Sequence, residues 1–315
     1  MAVEILILRA LGLGDFLTAV PAYRGLRRAF PDATITVAAP AVLEPLAMLT
    51  GAIDRLLPVN GLGELAAMWP PPELGVNLHG AGPESIRDLV ATGARHMITY
   101  RHSEYPSIAG PEWCDEVHEV ERALDLVRAA GFDLPPGDPG DLRVEGAAPS
   151  PVEAPYVVVH PGASVPARAW APERHAALVE ALVATGRRVV VTGGPSERAL
   201  TSQIAGEALD LGGETDFAGL AGVLAGADAV VVGNTGPAHL AAAVGTPVVS
   251  LFAPTVPAVR WRPWRVPHEL LGVDMPCAGC RARRCPVPGH PCLGGVGVED
   301  VLAAVERLAP IAVPA

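Results

Sequence analysis

The sequence has 315 residues, of which 50% are apolar and 18% are charged, so a disordered chain is excluded and two domains of ordinary size are expected. The formal net charge is −11 and no stretch is basic enough to follow a phosphate backbone, so we expect no nucleic-acid partner. All 23 basic residues are arginine, and the absence of lysine excludes Schiff-base chemistry and a P-loop lysine.

The first segment has the pattern of a strand, a glycine-rich turn and a helix. Val3 to Leu8 is an apolar run of strand length, the letters ALGLGD come soon after it, and a helical pattern continues to Ala29. The third glycine of a dinucleotide fingerprint is missing, which argues against a nicotinamide site. Asp15 stands where the helix begins, so it is either an N-cap or a catalytic carboxylate. The N-terminal residues lack the features of a signal peptide, and we expect a cytoplasmic protein.

Strands and helices continue to alternate through the first half. The pattern predicts strands at Thr34–Ala38, Arg55–Val59 and Leu74–Leu78, with a helix near Val42–Leu49. His79 follows the last of these strands in a glycine-rich strand end, where a side chain could face a sugar or an anion. A hydrogen-bonded loop histidine is the alternative interpretation.

A further helix is predicted from Val117 to Ala130. It carries His118 and Arg122, which are four residues apart and therefore on one face of the helix. A solvated helix face is the simplest interpretation of this pair, and a contact with a substrate is the alternative.

The segment from Pro135 to Pro155 is rich in proline and glycine, as interdomain connections are. The same alternation restarts beyond it. We therefore expect an α/β fold with two Rossmann-like domains, at 1–145 and 155–315, that face each other across a ligand cleft. The predicted elements of the second domain are a strand at Tyr156–His160, a helix at Glu173–Thr185, a strand at Arg188–Thr192, a helix that carries Glu197, a short helix at Leu220–Ala225 and a final helix at Val298–Leu308 that could pack back on the first domain.

The stretch from Ala229 to Leu251 organises the second domain. It predicts a buried strand to Val232, a turn through Gly233-Asn234-Thr235-Gly236, a helix opened by Pro237 and a second strand from Pro247. Unpaired amides at the start of the helix attract anions, and glycines let a ligand approach the backbone. We interpret the turn as a phosphate-binding site.

Two other interpretations of this stretch are open. The turn could belong to a buried β-α-β unit that binds nothing. The run from Ala229 to Val259 has no charged residue, as in a transmembrane helix, although its four prolines make a single spanning helix improbable.

Four cysteines fall within sixteen residues in the pattern C-x2-C-x4-C-x6-C, at Cys277, Cys280, Cys285 and Cys292. Thiols at this spacing could bind a structural zinc ion, with His290 as an alternative ligand. The split second pair departs from the usual spacing, so free thiols are favoured and no metal or other cofactor is expected. Cys114 stands apart as a packing residue.

Taken in order, several motifs resemble glycosyltransferase family 9, which includes the ADP-heptose:lipopolysaccharide heptosyltransferases. The motifs are GLGD after the first strand, HPGA followed by Arg168 and Trp170, TGGP before a helix, and NTGPAHLAAAVGTPVVSLF. The resemblance implies a GT-B fold and an enzyme that inverts the anomeric carbon without a catalytic metal. It implies that the donor is a nucleotide-diphosphate sugar and that the nucleotide is ADP. It also implies a role in the synthesis of lipopolysaccharide or another cell-envelope glycan.

The resemblance also implies roles for individual residues. Asp15 occupies the position of the family's proposed general base, and Arg168 stands where a lysine usually helps to bind the donor diphosphate. The donor-binding residues that it implies are Arg168, Glu197, Asn234, Thr235, Gly236, Pro237 and His239, with Glu197 on the ribose. The acceptor-binding residues that it implies are Gly14, His79, His118 and Arg122.

One departure from the family concerns Asn234, because the family commonly has aspartate before Thr-Gly. We expect the amide to alter the donor preference rather than to abolish activity. The acceptor is expected to be a glycan or glycolipid, with peripheral contact at the inner face of the membrane and no transmembrane anchor. A sugar-nucleotide epimerase of the same fold and a nucleotide-sugar-binding protein without turnover are the alternative functions.

Overall fold

The computed structural model describes residues 3–132 and 140–311. The chain divides into two compact units, Met1–Gly146 and Ala147–Ala315. The boundary lies within the predicted connection Pro135–Pro155, of which residues 135–139 are outside the described part of the chain.

The first unit is built on a five-stranded parallel sheet. Its strands are β1 (Glu4–Leu8), β2 (Thr34–Ala39), β3 (Arg55–Pro58), β4 (Leu74–Asn77) and β5 (His96–Ile98). They lie in the order β3-β2-β1-β4-β5, and Leu6 of β1 lies between Thr36 of β2 and Gly75 of β4. β1 is central and has four buried residues in a row, which is why it was readable as a continuous apolar run.

Helices accompany this sheet within residues 3–132. The helix predicted to end at Ala29 is two helices, because Pro21 has no amide hydrogen with which to continue the hydrogen-bond ladder and the chain turns at Ala19. The helices are α1 (Leu13–Thr18), α2 (Val20–Ala29), α3 (Glu44–Met48), α4 (Pro83–Ala91) and α5 (Glu119–Ala129).

The second unit is built on a six-stranded parallel sheet with the order β11-β10-β9-β6-β7-β8. Its strands are β6 (Val157–His160), β7 (Val189–Gly193), β8 (Leu209–Gly212), β9 (Ala229–Gly233), β10 (Val248–Leu251) and β11 (His268–Leu271). Its helices are α6 (Pro172–Ala184), α7 (Arg198–Ala205), α8 (Phe217–Ala225), α9 (Gly236–Ala243), α10 (Ala258–Trp261), α11 (Pro291–Gly294) and α12 (Val298–Leu308).

One apolar cluster of this unit lies between the sheet and helices that include α6 and α12. Val159 of β6 and Val231 of β9 are fully buried in one apolar cluster with Leu178 of α6 and Val305 of α12. The final helix therefore contributes to the core of its own unit.

The uncharged run from Ala229 to Val259 is not a spanning helix. It forms β9, α9 and β10, so the transmembrane interpretation is wrong. Within residues 3–132 and 140–311, no helix combines the length and the apolar character needed to cross a bilayer.

We predict that Gly222→Ala destabilises the second unit by about 1–3 kcal/mol, the usual cost of overpacking. A methyl group at Gly222 in α8 would lie 2.0 Å from the carbonyl oxygen of Ala148, so the helix or that segment must move. The matched control is Gly219→Ala in the same helix, where the methyl group meets its nearest atom at 3.4 Å. Denaturant unfolding midpoints should fall only for Gly222→Ala, and equal midpoints in the two variants would contradict the prediction.

Candidate functional site

The second unit brings four turns together at one edge of its sheet. β10, β9, β6 and β7 are neighbours and all run in parallel, so the segments that follow them leave the sheet at the same edge. In open parallel sheets this edge is where ligands bind. The four segments are 252–255, 233–236, 161–168 and 194–197.

The turn after β9 leads into a helix start that carries no side-chain cap. Thr235 is the N-cap residue of α9, and its hydroxyl donates to the carbonyl oxygen of Gly233 at 3.4 Å rather than accepting from the helix. The helix begins at Gly236, one residue before the predicted Pro237. The first amides of α9 and its dipole therefore present a positive end to this edge of the sheet.

Asn234 is almost completely buried beside this helix start. Its side chain is 3% exposed, and its Nδ2 atom has no hydrogen-bond partner among the described residues. A buried amide left without an acceptor costs roughly 1–3 kcal/mol. An acceptor oxygen supplied by a ligand would satisfy it.

Arg168 lies next to the same turn. It ends a 3₁₀ turn, Pro166–Arg168, and a methyl group at Gly233 would lie 3.3 Å from its carbonyl oxygen. Its Nε donates to the Thr255 hydroxyl at 3.2 Å. The predicted diphosphate arginine and the predicted phosphate-binding turn are thus brought together.

Glu197 is the last residue of the turn that follows β7. It ends a 3₁₀ turn, Pro195–Glu197, rather than lying inside the helix predicted to carry it, and its carboxylate accepts from the Gly194 amide at 2.7 Å. The space beside it is tight, because a methyl group at Gly162 would lie 2.1 Å from its Oε1. Glu197 therefore lies against the glycine of the HPGA motif.

A buried histidine, His160, lies next to the carboxylate of Glu197. His160 contacts Thr192 Oγ1 through Nδ1 at 3.0 Å, and its Nε2 lies 3.8 Å from Glu197 Oε2. Burial lowers the pKa of His160, and the carboxylate of Glu197 acts in the opposite direction. A neutral ring with its proton on Nε2 fits this geometry, because the proton then points at the carboxylate.

His239 is buried in the first turn of α9. Its ring meets Trp261 of α10 edge to face, with 5.7 Å between the ring centroids. This contact connects the turn that is predicted to bind phosphate with the segment after β10.

In the first unit, Asp15 follows β1. Gly12 is the N-cap residue of α1 and Asp15 is its third residue, so the N-cap interpretation of Asp15 is wrong. Its carboxylate lies 3.7 Å from Nη2 of Arg9 and keeps a side-chain exposure of 32%. Gly14 precedes it within the helix and is also partly exposed.

Arg9 organises the chain around Asp15 although it is itself 5% exposed. Its guanidinium donates to the carbonyl oxygens of Asp15 and Leu78 and to the hydroxyl of Thr18. These contacts join the end of β1, the start of α1 and the end of β4. A buried arginine is thus satisfied by fixed backbone carbonyls.

His79 comes next after Leu78 and is half-buried. Its backbone amide donates to Asn77 Oδ1 at 3.1 Å, whereas its buried ring Nδ1 has no hydrogen-bond partner among the described residues. Burial is the main cause that lowers the pKa of His79 to about 4, and the charge of Arg9 adds to it while Asp88 opposes it. The ring is therefore neutral at physiological pH.

His118 and Arg122 are buried, which makes the solvated-face interpretation wrong. His118 is the N-cap residue of α5 and accepts from the Val120 amide at 3.2 Å. Arg122 donates twice to the Cys114 carbonyl oxygen, and its guanidinium lies 4.1 Å from the centre of the Trp113 ring. These contacts stabilise the start of α5, and an acceptor-binding role for the pair stays a prediction.

The cysteines at 277, 280, 285 and 292 are free thiols. They line a small cavity of about 40 Å³ together with His290 and Thr255. Within the described part of the chain, no group of three or more potential ligands is arranged to hold a metal ion.

The sequence analysis missed three residues that contact the predicted ones: Arg9, His160 and Thr255. Arg9 directly follows an apolar strand run and His160 ends one, so a polar residue at the end of a buried strand was the available signal. Thr255 carries no such signal, because its contact with Arg168 spans 87 residues.

The model of "Glycosyltransferase family 9 (heptosyltransferase)" matches residues 107–290, more than half of the chain. The chain belongs to glycosyltransferase family 9. The predicted family is thereby confirmed.

Curated relatives of this family 9 chain are lipopolysaccharide heptosyltransferases. Lipopolysaccharide heptosyltransferase 1 of Pseudomonas aeruginosa is 32% identical over 240 residues, which cover 74% of this chain and 64% of the relative. Lipopolysaccharide heptosyltransferase 3 of Escherichia coli is 32% identical over 168 residues, which cover 49% of this chain and 47% of the relative. The chain thus spans about half to two thirds of the length of these relatives.

Solved structures share the fold over nearly the full length. A family 9 glycosyl transferase from Veillonella parvula superposes with a TM-score of 0.76 at 17% identity, covering 97% of each chain. E. coli ADP-heptose lps heptosyltransferase II superposes with a TM-score of 0.73 at 20% identity, covering 97% of this chain and 98% of the other. The predicted α/β fold of the GT-B class, with two Rossmann-like domains, is confirmed.

We predict that His79 titrates with a pKa of about 4 in an NMR pH titration of the ring. Arg9→Gln should raise this pKa, because a positive charge that disfavours the protonated ring is removed. Arg9→Lys keeps the charge and should leave the pKa low. A His79 that titrates near the ordinary value of about 6.5 in the unmodified protein would contradict the prediction.

Proposed function

We propose that the chain is an inverting, metal-independent glycosyltransferase that moves a sugar from a nucleotide-diphosphate donor to a carbohydrate hydroxyl. The observation that carries the proposal is the buried, unpartnered amide of Asn234 beside an uncapped helix start and Arg168. Helix N-termini and arginine together are well suited to phosphate oxygens.

In this proposal the donor lies on the turns of the second unit. The Gly236 amide at the start of α9 and the hydroxyl of Thr235 contact the diphosphate, to which Asn234 donates its Nδ2–H. Arg168 binds the same diphosphate, and the buried side chain of His239 supports the first turn of α9. Glu197 accepts from the ribose hydroxyls. Pro237 has no amide hydrogen, so its contribution is to fix the helix start.

The donor is proposed to be ADP-linked, with heptose or a related sugar. Two supports come from relatives: the curated ones are named as heptosyltransferases, and one solved relative of the same fold is described as E. coli heptosyltransferase WaaC with ADP. The acceptor is proposed to be a glycan or glycolipid of the cell envelope, contacted by Gly14, His79, His118 or Arg122. A cytoplasmic location at the inner face of the membrane belongs to the same proposal.

Asp15 is the proposed general base. Its carboxylate takes the proton of the acceptor hydroxyl as that oxygen attacks the anomeric carbon. The new carbon–oxygen bond forms as the bond to the β-phosphate oxygen breaks, and the diphosphate leaves with the electron pair. Attack from the face opposite the leaving group inverts the configuration. Arg168 and the α9 helix start stabilise the growing negative charge, a task that needs no proton transfer.

We predict that ADP binds the protein in calorimetric titration with chelator present, and more tightly than UDP, GDP or dTDP. Arg168→Ala should weaken ADP binding by about 10- to 100-fold, the value of a charge-assisted hydrogen bond. Arg307→Ala is the matched control, because Arg307 pairs with Glu269 on the surface of the same unit. Absence of binding by all four nucleotides would overturn the donor site.

We predict that Asp15→Asn lowers kcat by about 10²- to 10⁴-fold, the usual contribution of a general base. The affinity for ADP should stay unchanged, because the carboxylate does not contact the donor in this mechanism. The assay is ADP release from ADP-heptose with fragments of lipopolysaccharide core as acceptors. Asp141→Asn is the matched control, because Asp141 is another partly exposed carboxylate of the first unit that pairs with an arginine.

The same assay separates the alternatives. A nucleotide-sugar-binding protein would bind ADP and release none from ADP-heptose with any acceptor. An epimerase would convert the sugar nucleotide without an acceptor, and its product would appear in the acceptor-free control.

A further inference from the structure

The segment 277–292, which we call the cysteine loop, has no part in the proposed chemistry, yet it packs against the residues that carry Arg168. Arg168 is held in two ways. Its backbone ends the 3₁₀ turn Pro166–Arg168, and its side chain donates to Thr255 at 3.2 Å. Both supports contact the cysteine loop.

The side-chain support is fixed by two backbone hydrogen bonds. The Gly279 amide donates to the Pro254 carbonyl oxygen at 2.7 Å, and the Arg281 amide donates to the Thr255 carbonyl oxygen at 2.9 Å. The segment that presents the Thr255 hydroxyl to Arg168 is therefore paired with the loop beyond the end of β10.

The backbone support is fixed by two further hydrogen bonds. The Ala167 amide donates to the Arg283 carbonyl oxygen at 3.1 Å, and His290 Nε2 lies 3.0 Å from the Ala167 carbonyl oxygen. A carbonyl oxygen only accepts, so the His290 proton is on Nε2. The residue immediately before Arg168 is thus bound on both its amide and its carbonyl side.

His290 is held in an uncommon conformation in order to make this contact. Its φ of 46° lies in the left-handed region, which a residue with a side chain seldom adopts. Its own carbonyl oxygen accepts from Leu293 and Gly294, at the start of α11. Strained backbone of this kind persists where the surrounding contacts determine it, and it concentrates at functional sites.

The thiols line a small cavity beside these supports. The cavity is lined by Cys277, Cys280, Cys285 and Cys292 on the side of the loop and by Ala167, Pro254 and Thr255 on the other side. Cys292 is buried, whereas Cys277 and Cys280 are exposed.

We propose that the cysteine loop is the support that sets the position of Arg168 for the donor diphosphate, with His290 as its positioning residue. The proposal rests on the proposed function, because it assumes that Arg168 binds the diphosphate. His290 contacts no substrate in it. The ring acts through the Ala167 carbonyl oxygen and the 3₁₀ turn.

The test compares ADP with AMP, which lacks the β-phosphate, in calorimetric titrations of the full chain. His290→Ala should weaken ADP binding by about fivefold, the value of one ordinary hydrogen bond, and leave AMP binding unchanged. His290→Gln can still donate to the carbonyl oxygen and should restore the ADP affinity, and with it the ratio of the ADP and AMP affinities. The matched control is His268→Ala, because the His268 ring contacts the carbonyl oxygen of Val266 within its own segment.

A double-mutant cycle makes the test specific. In an Arg168→Ala background, His290→Ala should cause no further loss of ADP affinity, because the group that it positions is gone. An equal loss for ADP and AMP, or the same loss with and without Arg168, would overturn the proposal by showing a general structural effect. Wild-type protein that binds no ADP would instead overturn the proposed function, so the two failures are distinguishable.

Discussion

The parallel pairing of β10, β9, β6 and β7 is the constraint on which the second unit depends. Because these strands run in one direction, every loop that leaves them at the carboxyl end joins the same edge. Residues far apart in the chain, such as Arg168 and Thr255, become neighbours only through this register. The apolar interior therefore does more than stabilise the unit, since it sets the distances between the polar groups that end its strands.

In the first unit, buried arginines bring together residues that are far apart in the chain. Arg9 and Arg122 each lie in the interior, where an unsatisfied charge would be costly, and each is surrounded by carbonyl oxygens and a carboxylate. A planar guanidinium can bind several fixed acceptors at once, which suits a chain without lysine. The position of Asp15 is therefore set by its contacts with Arg9 as well as by α1.

The interior strands of both sheets could be predicted from the sequence, and so could the edge strand β3, whereas the other edge strands could not. β1, β6 and β9 are buried on both faces, so each reads as a continuous apolar run. β5, β8 and β11 lie at sheet edges and are partly exposed, and their mixed letters match neither strand alternation nor an apolar run. The strand, turn and helix at 229–243 could be predicted because glycine, proline and helix pattern all fall within a few residues. The burial of His118 and Arg122 could not, because it depends on the Cys114–Trp113 segment folding over them.

Asn234 is a buried side chain whose hydrogen-bonding capacity is only partly used by the described residues. An aspartate at this position would bring a negative charge into a place where helix amides and Arg168 favour an anion, whereas the amide brings a hydrogen-bond donor. Its Nδ2 is buried without an acceptor among the described residues, and a buried donor of this kind costs about 1–3 kcal/mol unless an acceptor is supplied. A ligand that supplies the acceptor stabilises the folded chain by an amount that grows with the logarithm of the ligand concentration. In the proposed donor site, Asn234 therefore favours a phosphate oxygen at that point because its side chain is buried, which the sequence letters alone do not reveal.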